Sequence, residues 1–343
     1  MLSTLLATCL MPPDAIDEAV ARVMAERRIQ GLAFAIVHEG KTVRTGCYGL
    51  ANIEHGVKVH PDTVFEVGSV TKQFTAACIL RLAEAGKLSL DDSITKFLPR
   101  APATWKPIAI KHLLSHTSGI QNYTGLDGYE ATKKLTQQQF IAKAADLKLQ
   151  FEPGAKYAYS NTGYNLLGHI VANASGKPFW EYLRENVWVP LGMRRAGTRD
   201  LFEVIPNRAS GYEVEDGVLK NRDSDLTDIF SAGAMTATIL DMASWAAQLG
   251  RPGVLSPASW ELAWTSFALN DGTKAQYGYG FGVDEFEGEK LIGHGGSTSG
   301  FSSSIRHLPA RRLSVVVLTN AGELNIGSKI ALEILGLAKR GAL

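Results

Sequence analysis

Strand-like segments lie at both ends of the chain, while helix-like segments fill its middle. Near the N-terminus, the apolar run Gly31–His38 predicts a buried strand, and Lys41–Tyr48 follows it across a Glu39-Gly40 turn as the second strand of a hairpin. The last quarter of the chain predicts further antiparallel strands, at residues 277–283, 289–293, 302–308 and 313–319. A sheet built from both chain ends predicts an α+β fold, because the middle of the chain must then form an inserted layer.

Apolar residues recur at helical spacing in six other segments, at residues 15–24, 69–86, 136–149, 163–174, 236–249 and 326–339. They predict terminal helices that flank the antiparallel sheet and a mostly helical inserted subdomain. The predicted division is an apolar N-terminal segment at 1–13, a sheet domain at 14–85 and 225–343, and a helical subdomain at 86–224. Active sites tend to lie in the crevice between such layers.

The composition limits the possible partners. The 343 residues carry 35 basic and 34 acidic side chains, a formal net charge of +1, and no basic run. We therefore expect neither nucleic acid nor an anionic membrane surface as a partner. The three cysteines, Cys9, Cys47 and Cys78, form no C-x-x-C pair. They are expected to be small buried side chains rather than metal ligands or disulfide partners.

The apolar segment 1–13 is shorter than the ~20 residues that a membrane span requires, and no other segment predicts a span. It lacks a basic leader, so we expect a packed or frayed terminus, with a trimmed export signal as the alternative. The expected compartment is cytoplasmic for the sequence as it stands, and periplasmic or extracellular if a signal has been removed. The sequence does not indicate an oligomeric state.

The segment Gly68-Ser69-Val70-Thr71-Lys72 carries the clearest chemical signal. Residues i and i+3 share one face of a helix, so Lys72 can reach the Ser69 hydroxyl. A helix N-terminus also offers backbone N–H groups and favours negative charge on the serine oxygen. A nucleophile needs both a nearby base and such donors, so Ser69 is the predicted nucleophile.

The same S-x-x-K spacing occurs again at Ser93-Ile94-Thr95-Lys96. That copy follows two aspartates, and Pro99 ends any helix after about one turn. We therefore interpret it as an exposed structural turn, whereas Ser69 begins a long buried helix.

Two further groups of polar residues follow downstream. Tyr159 and Asn161 precede the predicted helix at residue 163; a tyrosine can shuttle a proton if cations lower its pKa, and an amide can hold a carbonyl oxygen and contact the lysine. His294-Gly295-Gly296-Ser297 falls between predicted strands. Paired glycines of this kind mark a close approach of another chain or a ligand to the backbone.

The order S-x-x-K, Y-x-N and [KH]-[TG]-G resembles the three-motif signature of the serine β-lactamase and penicillin-binding protein superfamily. A tyrosine in the second motif is similar to the class C branch, which includes D-alanyl-D-alanine carboxypeptidases, D-aminopeptidases and β-lactamase-like carboxylesterases. The resemblance runs from about residue 15 to 335 and includes three secondary features, Leu113–Ile120, Phe151–Gly154 and Pro190–Met193.

The resemblance implies a serine hydrolase that needs no cofactor and cleaves a small ester, amide or peptide through an acyl-enzyme. It implies that Ser69 is acylated, that Lys72 takes or relays the proton, and that Tyr159 acts as general acid or base. Whether the lysine or the tyrosine is the base in acylation stays open. The supporting roles that it implies fall on the backbone N–H groups of Ser69 and Ser297 as the oxyanion hole, on Asn161, and on the third motif, His294, Gly295 and Gly296.

The third motif departs from the class C pattern, in which a lysine helps to bind the β-lactam carboxylate. His294 stands in its place and, with a pKa of about 6.5, would offer a hydrogen bond to Tyr159 or to the substrate rather than a fixed charge. We therefore expect esters, amides or D-amino-acid peptides to be preferred over cephalosporins. Activity on a cephalosporin is expected to improve as the pH falls toward about 6 and His294 gains a proton.

Other readings of the sequence stay open. A true β-lactamase, an acylated penicillin-binding sensor and a transacylase are alternatives. A metal site at His112 and His116 is another, although no glutamate or third ligand accompanies them. The absence of G-x-S-x-G excludes the α/β-hydrolase arrangement. The segment 121–150 is expected to form one wall of the substrate site, with Asn122 and Tyr123 as candidate lining residues.

Overall fold

The structure is a computed structural model that describes residues 14–126, 135–199, 202–223 and 225–342. The predicted N-terminal segment 1–13 therefore lies outside the described residues, as does part of the expected substrate wall at 121–150. None of the described helices is both long enough and apolar enough to span a membrane.

The strands in chain order are β1 (Gly31–His38), β2 (Lys41–Asn52), β3 (Val57–Lys58), β4 (Phe65–Glu66), β5 (Gly197–Thr198), β6 (Gly211–Glu215), β7 (Val218–Arg222), β8 (Met235–Ala237), β9 (Gly282–Phe286), β10 (Glu289–Thr298), β11 (Phe301–Leu308) and β12 (Leu313–Thr319). The α-helices are α1 (Ala15–Arg27), α2 (Thr71–Glu84), α3 (Ile110–Leu114), α4 (Gln137–Ala145), α5 (Asn161–Ser175), α6 (Phe179–Leu183), α7 (Phe230–Gly233), α8 (Ile239–Gln248), α9 (Pro257–Ala263) and α10 (Ile326–Lys339).

The main sheet has seven strands in the order β3-β2-β1-β12-β11-β10-β9, and all neighbours are antiparallel. The two central strands come from opposite ends of the chain, with Leu32 paired to Thr319 and His38 to Leu313. The α+β prediction, with one sheet drawn from both ends, is therefore confirmed.

The central strands are apolar throughout because both faces of the sheet are covered. On one face, Leu32, Phe34 and Ile36 pack with residues of α1 and α10. On the other face, Ala33 and Ala35 join the larger core, which includes α2, α8 and the helices of the middle segment. Alternate side chains of β1 therefore face opposite sides of the sheet, the large ones toward one helical layer and the alanines toward the other.

Segment 277–283 is not the strand that the alternation of aromatic residues and glycine predicted. Only residues from Gly282 onward belong to β9, and the preceding residues form a turn in which the N–H of Gly278 donates to the carbonyl of Phe281 at 2.8 Å. Gly280 has φ +80° and lies against α2, where a Cβ would be 2.9 Å from the carbonyl oxygen of Lys72. A left-handed glycine breaks the strand pattern here and allows close packing beside the lysine.

Two helix boundaries differ from the predictions because polar residues cap the helices. Thr238 and Asp241 form a capping box, so α8 begins at Ile239 and the preceding residues form β8. Ser160 accepts from the N–H of Gly163, so α5 begins at Asn161. β8 pairs with β4, the strand immediately before Ser69, and therefore fixes the approach to that residue.

Candidate active site

Ser69 lies on a 3-10 turn, Gly68–Val70, that leads directly into α2. Gly68 has φ +51°, and a Cβ there would lie 2.8 Å from the backbone nitrogen of Ser297. The hydroxyl of Thr71 donates to the carbonyl of Gly68 at 2.7 Å and closes the turn. The glycine is required both by the left-handed backbone and by the close approach of β10.

Lys72 is fully buried, and its ammonium nitrogen has three oxygen neighbours. Nζ lies 3.1 Å from Oγ of Ser69, 2.8 Å from Oδ1 of Asn161 and 2.7 Å from the carbonyl oxygen of Ala232. Burial lowers the pKa of Lys72 well below its ordinary value. The cause is desolvation of the charged lysine side chain rather than repulsion by neighbouring cations.

These three contacts satisfy a charged lysine and also accommodate an uncharged one. A neutral amine has two N–H donors and one lone pair, and two of its neighbours, Asn161 Oδ1 and the Ala232 carbonyl, can only accept. The lone pair is then left for the third neighbour, the Ser69 hydroxyl, which can donate. In its neutral form, Lys72 is therefore placed to accept the proton of the Ser69 hydroxyl.

Tyr159 lies in the loop that precedes α5, and His116 fixes this loop on both sides. The N–H of Ala158 donates to the carbonyl of His116 at 2.9 Å, and the N–H of Ser160 donates to its Nδ1 at 3.1 Å. The ring of Tyr159 packs at a tilt against His116, with 4.3 Å between the ring centroids, and its centroid lies 4.7 Å from Lys72 Nζ. The position of the Tyr159 side chain is therefore fixed both by hydrogen bonds to the backbone of its loop and by the contact of its ring with His116.

Burial raises the pKa of Tyr159, and a hydrogen bond with Ser69 acts in the opposite direction. The condition that a cation lowers this pKa is not met, because desolvation of the phenolate is the largest influence and Ser69, not a cation, acts against it. In the resting site the hydroxyl carries its proton, so Tyr159 is poised to donate rather than to accept.

Asn161 holds Lys72 in place, and a loop much earlier in the chain fixes Asn161 in turn. Its Nδ2 donates to the hydroxyl of Thr124 at 3.0 Å, and its backbone N–H donates to Oδ1 of Asn122 at 3.0 Å. The orientation of the side-chain amide is thus set, with its oxygen toward the lysine.

Asn122 and Tyr123 do not line the cleft as the sequence predicted. Asn122 contacts Asn161 instead, and the Tyr123 side chain is buried, with its hydroxyl donating to the carbonyl of Asp228 at 2.8 Å. The loop that contains these two residues contacts the start of α5, so it supports the site without lining the cleft.

The third motif lies within β10 rather than between strands. A Cβ at Gly296 would clash with the carbonyl oxygen of Val67 and lie 3.0 Å from the backbone nitrogen of Ser69. Only a glycine lets the strand run this close to the nucleophile, and it brings the backbone N–H groups of Ser69 and Ser297 to one place. That pair is suitably placed to receive an oxyanion.

The outer edge of β10 is open beside the nucleophile. β9 pairs with residues 289–293 of β10, and beyond Gly293 the described partner of this strand is β11 on its inner side. No second strand is described beside residues 294–298 on their outer side, so this part of β10 is an edge next to Ser69 to which an extended substrate can pair.

His294 is buried, and both of its ring nitrogens are engaged within the protein. Nδ1 lies 2.6 Å from the carbonyl of Gly295, and Nε2 lies 2.9 Å from the hydroxyl of Tyr277. The carbonyl can only accept, so Nδ1 carries the proton and Nε2 accepts from the tyrosine. The expected hydrogen bond to Tyr159 or to the substrate is absent, because neither nitrogen is free.

Burial lowers the pKa of His294 to about 3. The imidazole therefore stays neutral at pH 6, and the expected gain of activity toward that pH through His294 is wrong. An ordinary pKa was assumed for a residue in an exposed turn, whereas the residue is desolvated inside a strand.

The cleft in front of Ser69 has a volume of about 460 Å³. The lining residues that matter for chemistry are Ser69, Tyr159, Tyr277, His294, Ser297 and Arg306. Two of them are not predicted as site residues from the sequence. Tyr277 falls in a segment that the sequence predicts as a strand, and the signal for Arg306 is a charged residue inside the predicted strand 302–308.

The second S-x-x-K copy does not form such a cluster. Ser93 caps a short 3-10 turn and accepts from the N–H of Thr95, while Lys96 is exposed and pairs with Asp92 at 2.9 Å. The serine and the lysine each have a local structural partner.

His112 and His116 are likewise engaged separately. Nδ1 of His112 accepts from the N–H of Ala109 at 3.1 Å, and Nδ1 of His116 accepts from Ser160. Across the residues that the structure describes, no group of three or more His, Cys, Asp or Glu side chains could hold a metal ion.

The antiparallel sheet is formed from both ends of the chain, and the helical layer comes from the sequence between them. This arrangement, with a serine, a lysine and a tyrosine where the two layers meet, defines the serine β-lactamase-like class of proteins. A family model described as Beta-lactamase matches residues 16–333, and the chain belongs to this family.

Relatives by sequence include PbpX of Bacillus subtilis (strain 168) and protein flp of Staphylococcus aureus (strain N315). PbpX is 30% identical over 268 residues, which cover 78% of this chain and 65% of PbpX. Protein flp is 29% identical over 313 residues, which cover 89% of this chain and 62% of flp. The chain thus spans less than two thirds of either relative.

Solved structures with the same fold include two penicillin-binding protein homologues. The octameric homologue from Pyrococcus abyssi is 30% identical with a TM-score of 0.83, covering 96% of this chain and 78% of that one. The protein from Bacillus halodurans is 27% identical with a TM-score of 0.81, covering 94% and 99%. The D-amino acid amidase from Ochrobactrum anthropi SV3, in complex with L-phenylalanine amide, is 25% identical with a TM-score of 0.80, covering 96% and 100%.

Proposed function

We propose that this protein is a serine hydrolase that cleaves small esters, amides or D-amino-acid peptides through an acyl-enzyme on Ser69. The observation that carries the proposal is the contact between the Ser69 hydroxyl and a buried Lys72 whose other two neighbours are acceptors. Burial favours the neutral form of Lys72, and in that form it can take the serine proton as the oxygen attacks.

In acylation, Ser69 Oγ forms a bond to the substrate carbonyl carbon while its proton passes to Lys72. The carbonyl oxygen becomes an oxyanion that accepts from the backbone N–H groups of Ser69 and Ser297. Collapse of this intermediate breaks the bond to the leaving group, which takes the proton of the Tyr159 hydroxyl. Lys72 then returns a proton to the tyrosine, so the net transfer is from Ser69 to the leaving group.

In deacylation, water attacks the acyl carbon and the same donors receive the oxyanion. The water proton passes through Tyr159 and Lys72 to Ser69 Oγ as the acyl bond breaks, and the acid is released. Nothing in these two half-reactions requires a cofactor.

The substrate class is supported by the relatives and by the third motif. One of the matched structures is a D-amino acid amidase from Ochrobactrum anthropi SV3, others are penicillin-binding proteins, and this chain belongs to the Beta-lactamase family. A neutral His294 with both nitrogens occupied offers no charge to a β-lactam carboxylate. We therefore propose esters and amides ahead of cephalosporins.

The test is a side-by-side panel of short and long p-nitrophenyl esters, a chromogenic cephalosporin and D-amino-acid amides, with the native protein and with Ser69→Ala. Turnover that disappears in Ser69→Ala supports the hydrolase. A stable adduct without turnover would indicate a sensor, and acyl transfer to an added alcohol or amine in preference to water would indicate a transacylase. Ser93→Ala is the matched control and is expected to keep full activity.

A further inference from the structure

One end of the cleft carries an arginine that no family motif includes. Arg306 lies on β11 directly opposite Gly293 of β10, and Gly293 in turn pairs with Gly282 of β9. All three residues line the cleft. Gly293 and Gly282 are paired on neighbouring strands and have no side chains, so they leave an open shelf. Cδ of Arg306 lies only 3.0 Å from the position that a Cβ of Gly293 would occupy.

Within the described part of the chain, the guanidinium on this shelf has no hydrogen-bond or ion-pair partner. Nε of Arg306 is buried without a hydrogen-bond partner, and no carboxylate lies within ion-pair distance of the side chain among the residues that the structure describes. The carboxylate that influences it electrostatically is Asp284 on β9, which is exposed and does not line the cleft. A buried cationic donor without an acceptor costs free energy that an anionic ligand can recover.

Arg306 also carries the main fixed charge of the cleft. Of the described lining residues none is acidic, Lys72 is driven toward its neutral form by burial, and His294 is neutral. An arginine keeps its charge at neutral pH. The cleft is therefore positive at the Arg306 end, and Asn325 and Ser328 add polar side chains to its lining.

We propose that Arg306 is a specificity-determining residue that binds a carboxylate or other anionic group of the substrate at the end of the cleft away from Ser69. Gly293 and Ser297 are four residues apart along β10, which corresponds to roughly 13 Å of extended strand. The anionic group is therefore separated from the scissile carbonyl by a spacer on the order of 10 Å. The inference rests on the proposed function, because it names the substrate class of that same site.

The test uses two matched ester series. One contains p-nitrophenyl monoesters of dicarboxylic acids of increasing length, and the other contains the same compounds with the free carboxylate capped as a methyl ester. A third probe, an acyl ester of 5-hydroxy-2-nitrobenzoate, places the carboxylate on the leaving group. The native protein is expected to prefer the free carboxylate in one of these positions, with an optimum length in the acyl series if the anion is on that side.

Arg306→Gln is expected to lower kcat/KM for the preferred carboxylate ester by about 10- to 150-fold, the range for a charge-assisted hydrogen bond. The capped esters are expected to change less than about twofold, since they never used the charge. Arg306→Lys is expected to recover part of the preference. Arg184→Gln, at an exposed arginine outside the cleft, is the matched control and is expected to change nothing.

Two outcomes overturn the proposal while leaving the hydrolase intact: the native protein turns over both series with no preference, or Arg306→Gln slows both equally. Absence of all turnover instead counts against the proposed function. In that event, calorimetric titration of the Ser69→Ala protein with the free dicarboxylates still tests whether Arg306 binds an anionic group. Binding that disappears in the Ser69→Ala, Arg306→Gln double variant supports the subsite, and equal or absent binding contradicts it.

Discussion

At the scale of single residues, the chemistry of the site depends on how completely Lys72 is buried. The sequence predicted the serine and the lysine from their spacing, which is a local property of a helix. It did not predict the carbonyl of Ala232 as the third neighbour of Nζ, because that contact joins positions 160 residues apart. The same limit applies to His294, whose sequence neighbours do not reveal that Tyr277 occupies its Nε2.

Lys72→Arg tests whether the base must lose its proton. The guanidinium keeps the charge and can still form hydrogen bonds, but it does not deprotonate, so kcat is expected to fall by about 10³-fold. In the native protein, activity is expected to rise with pH as Lys72 loses its proton, with the midpoint well below the ordinary lysine pKa.

The control for this variant is Lys96→Arg in the second S-x-x-K copy, where no loss is expected. A Lys72→Arg protein that keeps its activity and its pH profile would remove the lysine from the role of base.

Tyr159→Phe tests the proton donor to the leaving group. Amides and alkyl esters need a proton on the departing atom and are expected to lose about 10²-fold or more in kcat. A p-nitrophenolate departs without one, so acylation by a p-nitrophenyl ester is expected to lose less. Pre-steady-state measurement of acylation with both substrates checks the difference.

Tyr157→Phe is the matched control, because Tyr157 also lines the cleft but is half-exposed. Equal losses for amide and nitrophenyl acylation in Tyr159→Phe would argue against the tyrosine as the acid.

At the scale of elements, three segments that are far apart in sequence meet at the site: the turn before α2, the loop before α5 and the strand β10. Helix starts could be predicted to within a few residues, since capping residues such as Ser160 and Thr238 are visible in the sequence. Segment 277–283 could not, because its alternation of aromatic residues and glycine is equally compatible with a strand and with a glycine turn. Tertiary packing of Gly280 against α2 decides between them.

His116 is the residue through which one loop positions another, and two substitutions separate its roles. It has φ +59°, its carbonyl accepts from Ala158, and its Nδ1 accepts from Ser160. Asparagine tolerates this backbone and offers an acceptor near the position of Nδ1, whereas leucine does neither.

His116→Leu is expected to lower kcat by about 10-fold or more with a smaller change in KM, since a small displacement of Tyr159 misaligns the proton transfer. His116→Asn is expected to retain most of the activity. Comparable losses in both variants, or a loss confined to KM, would contradict a positioning role for the ring nitrogen.

At the scale of the whole molecule, the sheet that joins the two chain ends also buries titratable groups away from the active site. The sequence allowed this architecture to be predicted because both central strands are apolar along most of their length. Which histidines become desolvated depends on the register, and that is not visible in the sequence. His307 on β11 is one such case, with Nδ1 at 2.8 Å from the hydroxyl of Ser314 on β12.

Burial lowers the pKa of His307 to about 4. The unfolded chain binds the proton at a pKa of about 6.5, so stability is present above that pH and is lost as the pH falls toward 4. For this one group, the free energy of unfolding is expected to fall by roughly 3 kcal/mol between pH 7 and pH 4.

Denaturant unfolding of His307→Gln at both pH values is expected to show a smaller loss. His55→Gln, at an exposed histidine, serves as the control. An unchanged pH dependence in His307→Gln would show that the buried imidazole does not contribute.

The most direct measurement for the central claim is intact-protein and peptide mass spectrometry after brief reaction with a p-nitrophenyl ester. Tyr159→Phe is included because slower deacylation lets the acyl-enzyme accumulate. The expected result is one added acyl group on the peptide that contains Ser69, absent in Ser69→Ala and present in Ser93→Ala. An adduct on the peptide that contains Ser93, or full turnover in Ser69→Ala, would contradict the mechanism.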